Sequence, residues 1–465
     1  MGNEEKNYRA GMTGREVAVA VLNKFKPEAA NVRESLDRFS SRTDERAAAT
    51  DLAMGVIRNG TMIDEIIKAC GRIEAGRIEK KLVNIIRVGV YELVYRPVGA
   101  EYAAVDEAVE QARKAVGAKR AGFVNAVLRN VQRGIAQRQA SFEGADAKNT
   151  VVQDSEHGCV FRFAIAPDPK ADGAGYLTAM FSLPGWLVKG WVERYGFAKA
   201  REICLGSNRR PGIYLRPNAL KTTAIKLAGL LGEKGVPCAV VSSADMVKIE
   251  HWGDVAKLPG FGEGMFTVQD ITPAGAVKAI AVQKRQRVLD LCAAPGTKTT
   301  QMAEEMRDSG EIIATDIEEG RLEKVYQNCE RLGVKSVRVI RYADLEREAR
   351  AGFDAILIDA PCSNTGVLAK RPEARYRVTS NAIEEIAEVQ FEILSNTAGY
   401  LNKGGKLCYS TCSIEQRENE DVVGLFLKLN KQFKLLDSKL TLPAAGANER
   451  DGGYWAVMEK VRVQC

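Results

Sequence analysis

The stretch RVLDLCAAPGTKTT, Arg287–Thr300, joins a short apolar run to a turn built on one proline and one glycine. An apolar run bounded by turn residues reads as a buried strand. Four more runs of this kind follow: EIIATDI, SVRVIRYAD, FDAILIDAPC and GGKLCYSTCS. Helical periodicity lies between them, most clearly in NAIEEIAEVQFEILSNTAGYL. Near-continuous apolar strands alternating with helices predict a mostly parallel, doubly wound sheet, because such strands must be covered on both faces. FKLLD and YWAVMEKVRV add two strands that would form an antiparallel edge and bring the sheet to seven.

In an open α/β sheet the ligand lies beyond the carboxyl ends of the strands. The first of these ends carries Cys292, Ala293, Ala294, Pro295, Gly296, Thr297 and Lys298. The next four carry Asp316, then Asp344, then Asp359 with Cys362, then Cys412. Three acids and, besides Cys292, two thiols thus fall at one edge. The loop after the first strand has neither the G-x-x-x-x-G-K-[ST] nor the G-x-G-x-x-G spacing. Its glycine still permits a tight turn and close approach of backbone to a ligand. Asp316 follows about 20 residues later, where an acid can accept hydrogen bonds from a ribose diol. Asp344 could hold an adenine amine in the same way. Capping of the following helix is the plainer use for any one of these acids. Together they favour a nucleoside ligand.

Upstream, the chain divides by composition. Residues 1–140 read as an all-α bundle: Thr13 to Glu16 has the form of a capping box, and Val17, Val21 and Phe25 follow at helical spacing. Residues 141–175, rich in Gly, Pro and Asp, read as a linker or insertion, with CVFRFAI a possible strand inside it. Residues 176–255 mix helices and strands, as a small α+β domain does, and 256–465 hold the large sheet. For 465 residues, two or three domains are expected.

The formal net charge is +7, and residues 1–140 hold 24 Lys and Arg against 18 Asp and Glu. That surplus suits a nucleic-acid partner, though on charge alone a solvated helical surface is the better reading. No run of about 18 apolar residues exists, so no membrane span is expected. The start, MGNEEKNYRAGMTGRE, has no signal-peptide pattern, so a cytoplasmic protein with reduced thiols is expected. The ten cysteines include no C-x-x-C, and the only histidines are His157 and His251, so no metal site is expected. With so few histidines, a reactive cysteine needs an activating group of another kind.

DLCAAPGTKTTQMAE, DAPCSNTGVLAKRPE and YSTCSIEQRENED resemble three signature motifs of the RNA cytosine-5 methyltransferases, the Nol1/Nop2/Sun family. TVQDITPAG resembles the family's segment before the sheet, and PGWLVKGWVERYG and NRRPGIYLRPN resemble its small preceding domain. EYAAVDEAVEQARK and GFVNAVLRN are similar to the NusB antitermination fold, so the helical start is expected to be a NusB-like RNA-binding domain. One departure is Gln416-Arg417, where the family has Pro-Glu.

The resemblance implies methylation of cytosine C5 in RNA with S-adenosyl-L-methionine. The partner would be 16S rRNA or a small-subunit assembly intermediate, bound by a monomer. It makes Cys412 the nucleophile, Cys362 the group assisting release, and Asp359 the proton source for N3 of the ring. Lys298 could favour the Cys412 thiolate by its charge; alone it would read as a solvated lysine at a helix start. The cofactor set is Cys292 to Lys298 with Asp316, Arg321, Asp344 and Asp359. Cys292 reads as a backbone contact, and Cys408 as core. Arg371, Arg375 and Arg377 could meet phosphates near the site. A DNA cytosine-5 methyltransferase would instead use Cys362 as its nucleophile. The second alternative is a non-catalytic, antitermination-like RNA-binding protein.

Overall fold

The computed structural model describes residues 11–26, 32–96, 99, 101–142, 147–249 and 254–461; His251 lies outside them. The chain forms two compact units, Met1–Asn208 with Arg375–Arg377, and Arg209–Ala374 with Val378–Cys465.

The first unit begins with seven helices: α1 (Gly14–Lys24), α2 (Val32–Ser40), α3 (Arg46–Arg58), α4 (Gly60–Gly71), α5 (Lys80–Tyr95), α6 (Glu101–Val116) and α7 (Ala118–Gly134). The capping box at Thr13 is present. Glu16 N–H donates to Thr13 Oγ1 at 3.2 Å, and Thr13 N–H donates to Glu16 Oε2 at 3.0 Å. Val17 and Val21 are buried one turn apart, as their spacing requires.

After α7 the chain does not become a loose linker. β1 (Ile135–Ser141), β2 (Thr150–Val152) and β3 (His157–Phe161) make an antiparallel sheet in the order β1-β3-β2. Val151, Val152, Cys159 and Phe161 are buried. The polar residues between them are turn chemistry: Asp154 Oδ1 accepts from the N–H groups of Glu156 and His157 at 2.7 and 2.8 Å. Strands this short bury so few side chains that composition reads as coil. Helices α8 (Gly173–Phe181) and α9 (Gly185–Asn208, interrupted at Gly196) complete this unit.

The second unit opens with β4 (Ile213–Pro217), α10 (Ala224–Glu233), β5 (Ala239–Val241), β6 (Met246–Ile249) and β7 (Phe266–Val268). They form a four-stranded antiparallel sheet, β5-β6-β4-β7, that extends beyond residue 255. Next come α11 (Ile271–Ile280), β8 (Arg287–Leu291), α12 (Thr297–Glu305), β9 (Glu311–Thr315), α13 (Glu319–Leu332), β10 (Val337–Val339) and α14 (Leu345–Ala349). The series ends with β11 (Phe353–Asp359), α15 (Ser380–Ala398), β12 (Leu401–Thr411), α16 (Glu420–Leu429), β13 (Phe433–Thr441) and β14 (Gly453–Lys460).

The large sheet has seven strands in the order β10-β9-β8-β11-β12-β14-β13. β10 through β12 run parallel, and β14 and β13 join antiparallel, as the sequence pattern predicts. One face buries Val288, Ile312 and Leu357 against α11, α12 and α13. The other buries Leu289, Ile313, Ile356 and Leu407 against α14, α15 and α16. Each such buried aliphatic side chain contributes about 1.5–3 kcal/mol relative to exposure. Strand order reverses at β8, which puts the Cys292–Lys298 loop at the switch point where such sheets bind ligands.

Arg216 on β4 ties the small sheet to α12 of the large one. Its guanidinium is buried and lies 2.7 Å from Glu304 Oε1, and it also donates to Thr297 O at 2.9 Å. Replacing it by alanine strands a carboxylate in the interior. Arg216→Ala is expected to cost about 3–5 kcal/mol, read as a lower urea midpoint for the full chain.

Candidate active site

The turn at the switch point is held by its neighbours. Gly296 has φ +97°, and a Cβ there would stand 3.2 Å from Val325, so this position requires glycine. Asp316, at the end of β9, is buried. Its Oδ2 accepts from Ala294 N–H at 3.1 Å and its Oδ1 from Glu318 N–H at 3.0 Å. It therefore both braces the loop and serves the start of α13, and each oxygen keeps a lone pair for a further donor. Arg321 donates to Ala294 O at 3.1 Å and stands 3.8 Å from Asp316. Asp344 ends a 3-10 turn and is engaged by Arg341 at 3.0 Å and Arg347 at 3.8 Å. Cys292 has φ +63°, and its half-buried thiol is pushed up to about 12, first by burial and then by the nearby charge of Asp359 and Asp316. It is not a nucleophile at neutral pH.

The two strand-end cysteines meet. Parallel pairing of β11 with β12 sets Asp359 opposite Ser410, and the loops beyond bring Cys362 Sγ to 2.9 Å from Cys412 Sγ. Both thiols are half-buried. Cys412 Sγ also donates to Asn364 Oδ1 at 3.2 Å. Asn364 Nδ2 is occupied by Cys362 O at 2.9 Å, which orients the amide. The Cys362 thiol is held well above its ordinary range, first by its hydrogen bond to the Cys412 sulfur, then by burial, then by the charge of Cys412. It stays a thiol. Cys408, on β12, is core, as its sequence position suggests.

Lys298 is not a solvated helix-start residue. Its ammonium is buried and lies 2.5 Å from Asp359 Oδ2. Burial alone would lower its pKa, but the Asp359 charge and hydrogen bond outweigh this and raise it, so the cation persists. Asp359 Oδ1 accepts from Ser410 Oγ at 3.1 Å. Both carboxylate oxygens are thus acceptors, one from the Lys298 ammonium and one from the Ser410 hydroxyl.

Some site residues escape sequence reading. Asp290, in the interior of β8, is fully buried and pushed up to about 7, first by burial, with Asp359 and Asp316 adding to it. Thr299 Oγ1 donates to its Oδ2 at 2.6 Å, while its Oδ1 has no hydrogen-bond partner among the described residues. An acid inside the apolar run VLDLC is the signal for it. Asn364 and Glu418 gave no such signal. Arg375 is a correction. Its guanidinium is buried in the first unit, donating to Phe181 O at 3.0 Å, Ser207 O at 3.2 Å and Asn208 Oδ1 at 2.8 Å, so it is not available to a phosphate. Arg371 and Arg377 are exposed. Among the described residues no cluster of His, Cys, Asp and Glu suits a metal, and no helix is long and apolar enough to cross a membrane.

Residues 277–456 match the family described as 16S rRNA methyltransferase RsmB/F, residues 12–133 the NusB family, and residues 183–256 the RsmF/B-like ferredoxin-like domain. The chain is 33% identical to ribosomal RNA small subunit methyltransferase B of Salmonella agona, over 90% of this chain and 91% of that one. To the Escherichia coli protein of the same name it is 32% identical, with the same coverage. Its fold is similar to the crystal structure of PH0851, at 23% identity and a TM-score of 0.73 over 96% of this chain and 98% of that chain. It is also similar to NSun6 from Pyrococcus horikoshii with SFG, at 21% identity and a TM-score of 0.54, over 60% and 98%.

The thiol electrostatics have a direct consequence. Removing the Cys412 sulfur removes the largest cause of the raised Cys362 pKa, so its thiolate fraction at fixed pH must rise. In Cys412→Ala, iodoacetamide at pH 8 should alkylate Cys362 faster than in the unaltered protein, while Cys292 and Cys408 stay unlabelled. Peptide mass spectrometry reads all three.

Proposed function

This chain belongs to the RsmB/F family of 16S rRNA methyltransferases, and from that premise we propose that it methylates C5 of a cytosine in 16S rRNA through a covalent bond from Cys412 to C6. The observation that carries the reading is the meeting of the Cys362 and Cys412 sulfurs, 2.9 Å apart, on the strand edge that also holds the Lys298–Asp359 pair.

Cytosine C5 is a weak nucleophile. Bonding of the Cys412 thiolate to C6 pushes electrons toward C5 and makes it enamine-like, which divides one hard step into easier ones. The ring takes a proton at N3 as it gains those electrons. The Lys298–Asp359 pair is the source assigned to it. After C5 is alkylated a base takes its proton, the C5–H electron pair forms the C5–C6 double bond, the S–C6 bond breaks with its pair on sulfur, and N3 gives its proton back to the Lys298–Asp359 pair. The departing sulfur then carries negative charge. Cys362, kept protonated, is hydrogen-bonded to that sulfur and stabilises it as it leaves.

When bound, S-adenosyl-L-methionine supplies the methyl group as an electrophile. The residues assigned to hold it are the Ala293–Gly296 turn, Asp316 braced by Arg321, and Asp344. The donor set fits: Asp316 keeps free lone pairs for hydroxyl donors, and Asp290 presents an unpartnered buried oxygen beside the turn. The NusB-like and ferredoxin-like regions are assigned the remaining grip on RNA, with salt-sensitive affinity. The substrate is taken to be free rRNA or an assembly intermediate, bound by a monomer in the cytoplasm.

Two variants separate this mechanism from one in which Cys362 attacks. Cys362→Ala should accumulate a protein–RNA adduct stable to denaturing electrophoresis, and Cys412→Ala should form none. The reverse pattern would exchange their roles. Asp316→Ala should weaken S-adenosyl-L-methionine binding about 10- to 100-fold by calorimetry. If the unaltered protein binds no cofactor in the same cell, the non-catalytic alternative gains. Bisulfite sequencing of rRNA from a deletion strain identifies the cytosine.

A further inference from the structure

Each strand-end cysteine is followed by a serine, and the two serines meet on one buried carboxylate. Glu418 lies in a 3-10 turn, Gln416–Glu418, ahead of α16 and has no exposed surface. Its Oε1 accepts from Ser413 Oγ at 2.5 Å and from Ser363 Oγ. Its Oε2 accepts from Ser363 N–H at 2.9 Å and from Gln390 Nε2 at 3.1 Å. Four donors saturate the carboxylate. Gln390, on α15, also donates to Pro361 O at 2.7 Å, so the same cluster grips the residue on the other side of Cys362. Ser363 Oγ and Ser413 Oγ are themselves 3.2 Å apart.

The carboxylate does not cap α16, the ordinary use of an acid at this position; it faces back into the two cysteine loops. Burying it uncompensated would be costly, and three of its four donors belong to Ser363 and Ser413, which adjoin Cys362 and Cys412. We propose that Glu418 is a positioning residue that locks the Cys362 and Cys412 loops in register so that their two sulfurs act on one base. The inference deepens the assignment of these cysteines to the methyl-transfer site and rests on it for its meaning. The sulfur proximity it explains can be measured without turnover.

Diamide converts two neighbouring thiols to a disulfide, taking up their two hydrogens as it becomes a hydrazine. On the full-length protein, the rate of Cys362–Cys412 disulfide formation, followed by peptide mass spectrometry, reports how well the sulfurs are held together. Glu418→Ala should slow it on the order of 10- to 100-fold, the effect of a displacement near 1 Å. Glu418→Gln keeps an acceptor oxygen of the same reach and should fall between Ala and the unaltered protein. Should Glu418→Ala misfold, the Ser363→Ala/Ser413→Ala double variant removes the same links with the carboxylate left in place, and it should slow the reaction likewise. The loss in Glu418→Ala and that in the double variant should not add, since they remove the same contacts. In turnover, kcat should fall and the KM for both substrates hold within about twofold. Disulfide formation within twofold of the unaltered rate in both Glu418→Ala and the serine double variant would overturn the proposal. Failure of the cysteine assignment shows differently, as no RNA adduct in Cys362→Ala with Glu418 intact; the disulfide rates still decide whether Glu418 holds the sulfurs.

Discussion

The parallel register between β11 and β12 is the constraint from which the site follows. Ile358 pairs with Tyr409 and Asp359 with Ser410. Three residues beyond Asp359 comes Cys362, and two beyond Ser410 comes Cys412. A slip of one residue would turn every side chain of one strand to the opposite face. It would bury the wrong set of apolar residues and carry the sulfurs apart. The register is fixed by burial on both faces: Ile356, Ile358, Leu407 and Tyr409 on one side, Leu357 and Cys408 on the other. Core packing and catalytic geometry are therefore set by the same pairing.

At the ends of those strands the balance of charge is unusual. Asp290, Asp316 and Asp359 crowd one edge; the Lys298 ammonium faces Asp359 and acts on Asp290, while Arg321 stands 3.8 Å from Asp316. Burial, with the charge of Asp359 and Asp316 adding to it, pushes Asp290 up to about 7, which lessens the strain of collecting acids there. Such an edge favours a ligand carrying positive charge. A sulfonium nucleoside with a free amine is of that kind, and a nicotinamide or phosphate ligand is served less well. The absence of a glycine-rich phosphate cradle, read from AAPGTKT, agrees with this.

The sequence makes the sheet legible because its strands are long enough to show continuous apolar runs, and because strand ends can be counted. The acids and thiols at those ends could be gathered to one edge on topology alone. Of the sheet of residues 135–161 only CVFRFAI was legible as a possible strand, since each strand buries two or three residues among turn residues. Arg375 misled for a different reason. Its neighbours Arg371 and Arg377 are exposed, and nothing in KRPEARYR distinguishes the one guanidinium whose donors meet backbone carbonyls. Glu418 stands in QRENED, at the end of a stretch that resembles a family motif, and the resemblance gives it no task. Only the folded chain shows that Ser363, 55 positions upstream, supplies two of its four donors.

Two cysteines of the same chemistry are given different tasks by what surrounds them. The Cys362 thiol is penalised for ionising by its bond to the other sulfur, by burial and by the charge of Glu418. Cys412 instead donates to the oxygen of Asn364, whose amide nitrogen is already bound, so its sulfur is oriented toward the other cysteine's loop. The carboxylate that positions both loops also disfavours a second thiolate beside the first. A pair of thiols held this close can carry one negative charge between them and not two. That is the state a reaction of this kind needs: one sulfur to bond the ring, and one proton kept beside it for the moment the bond breaks.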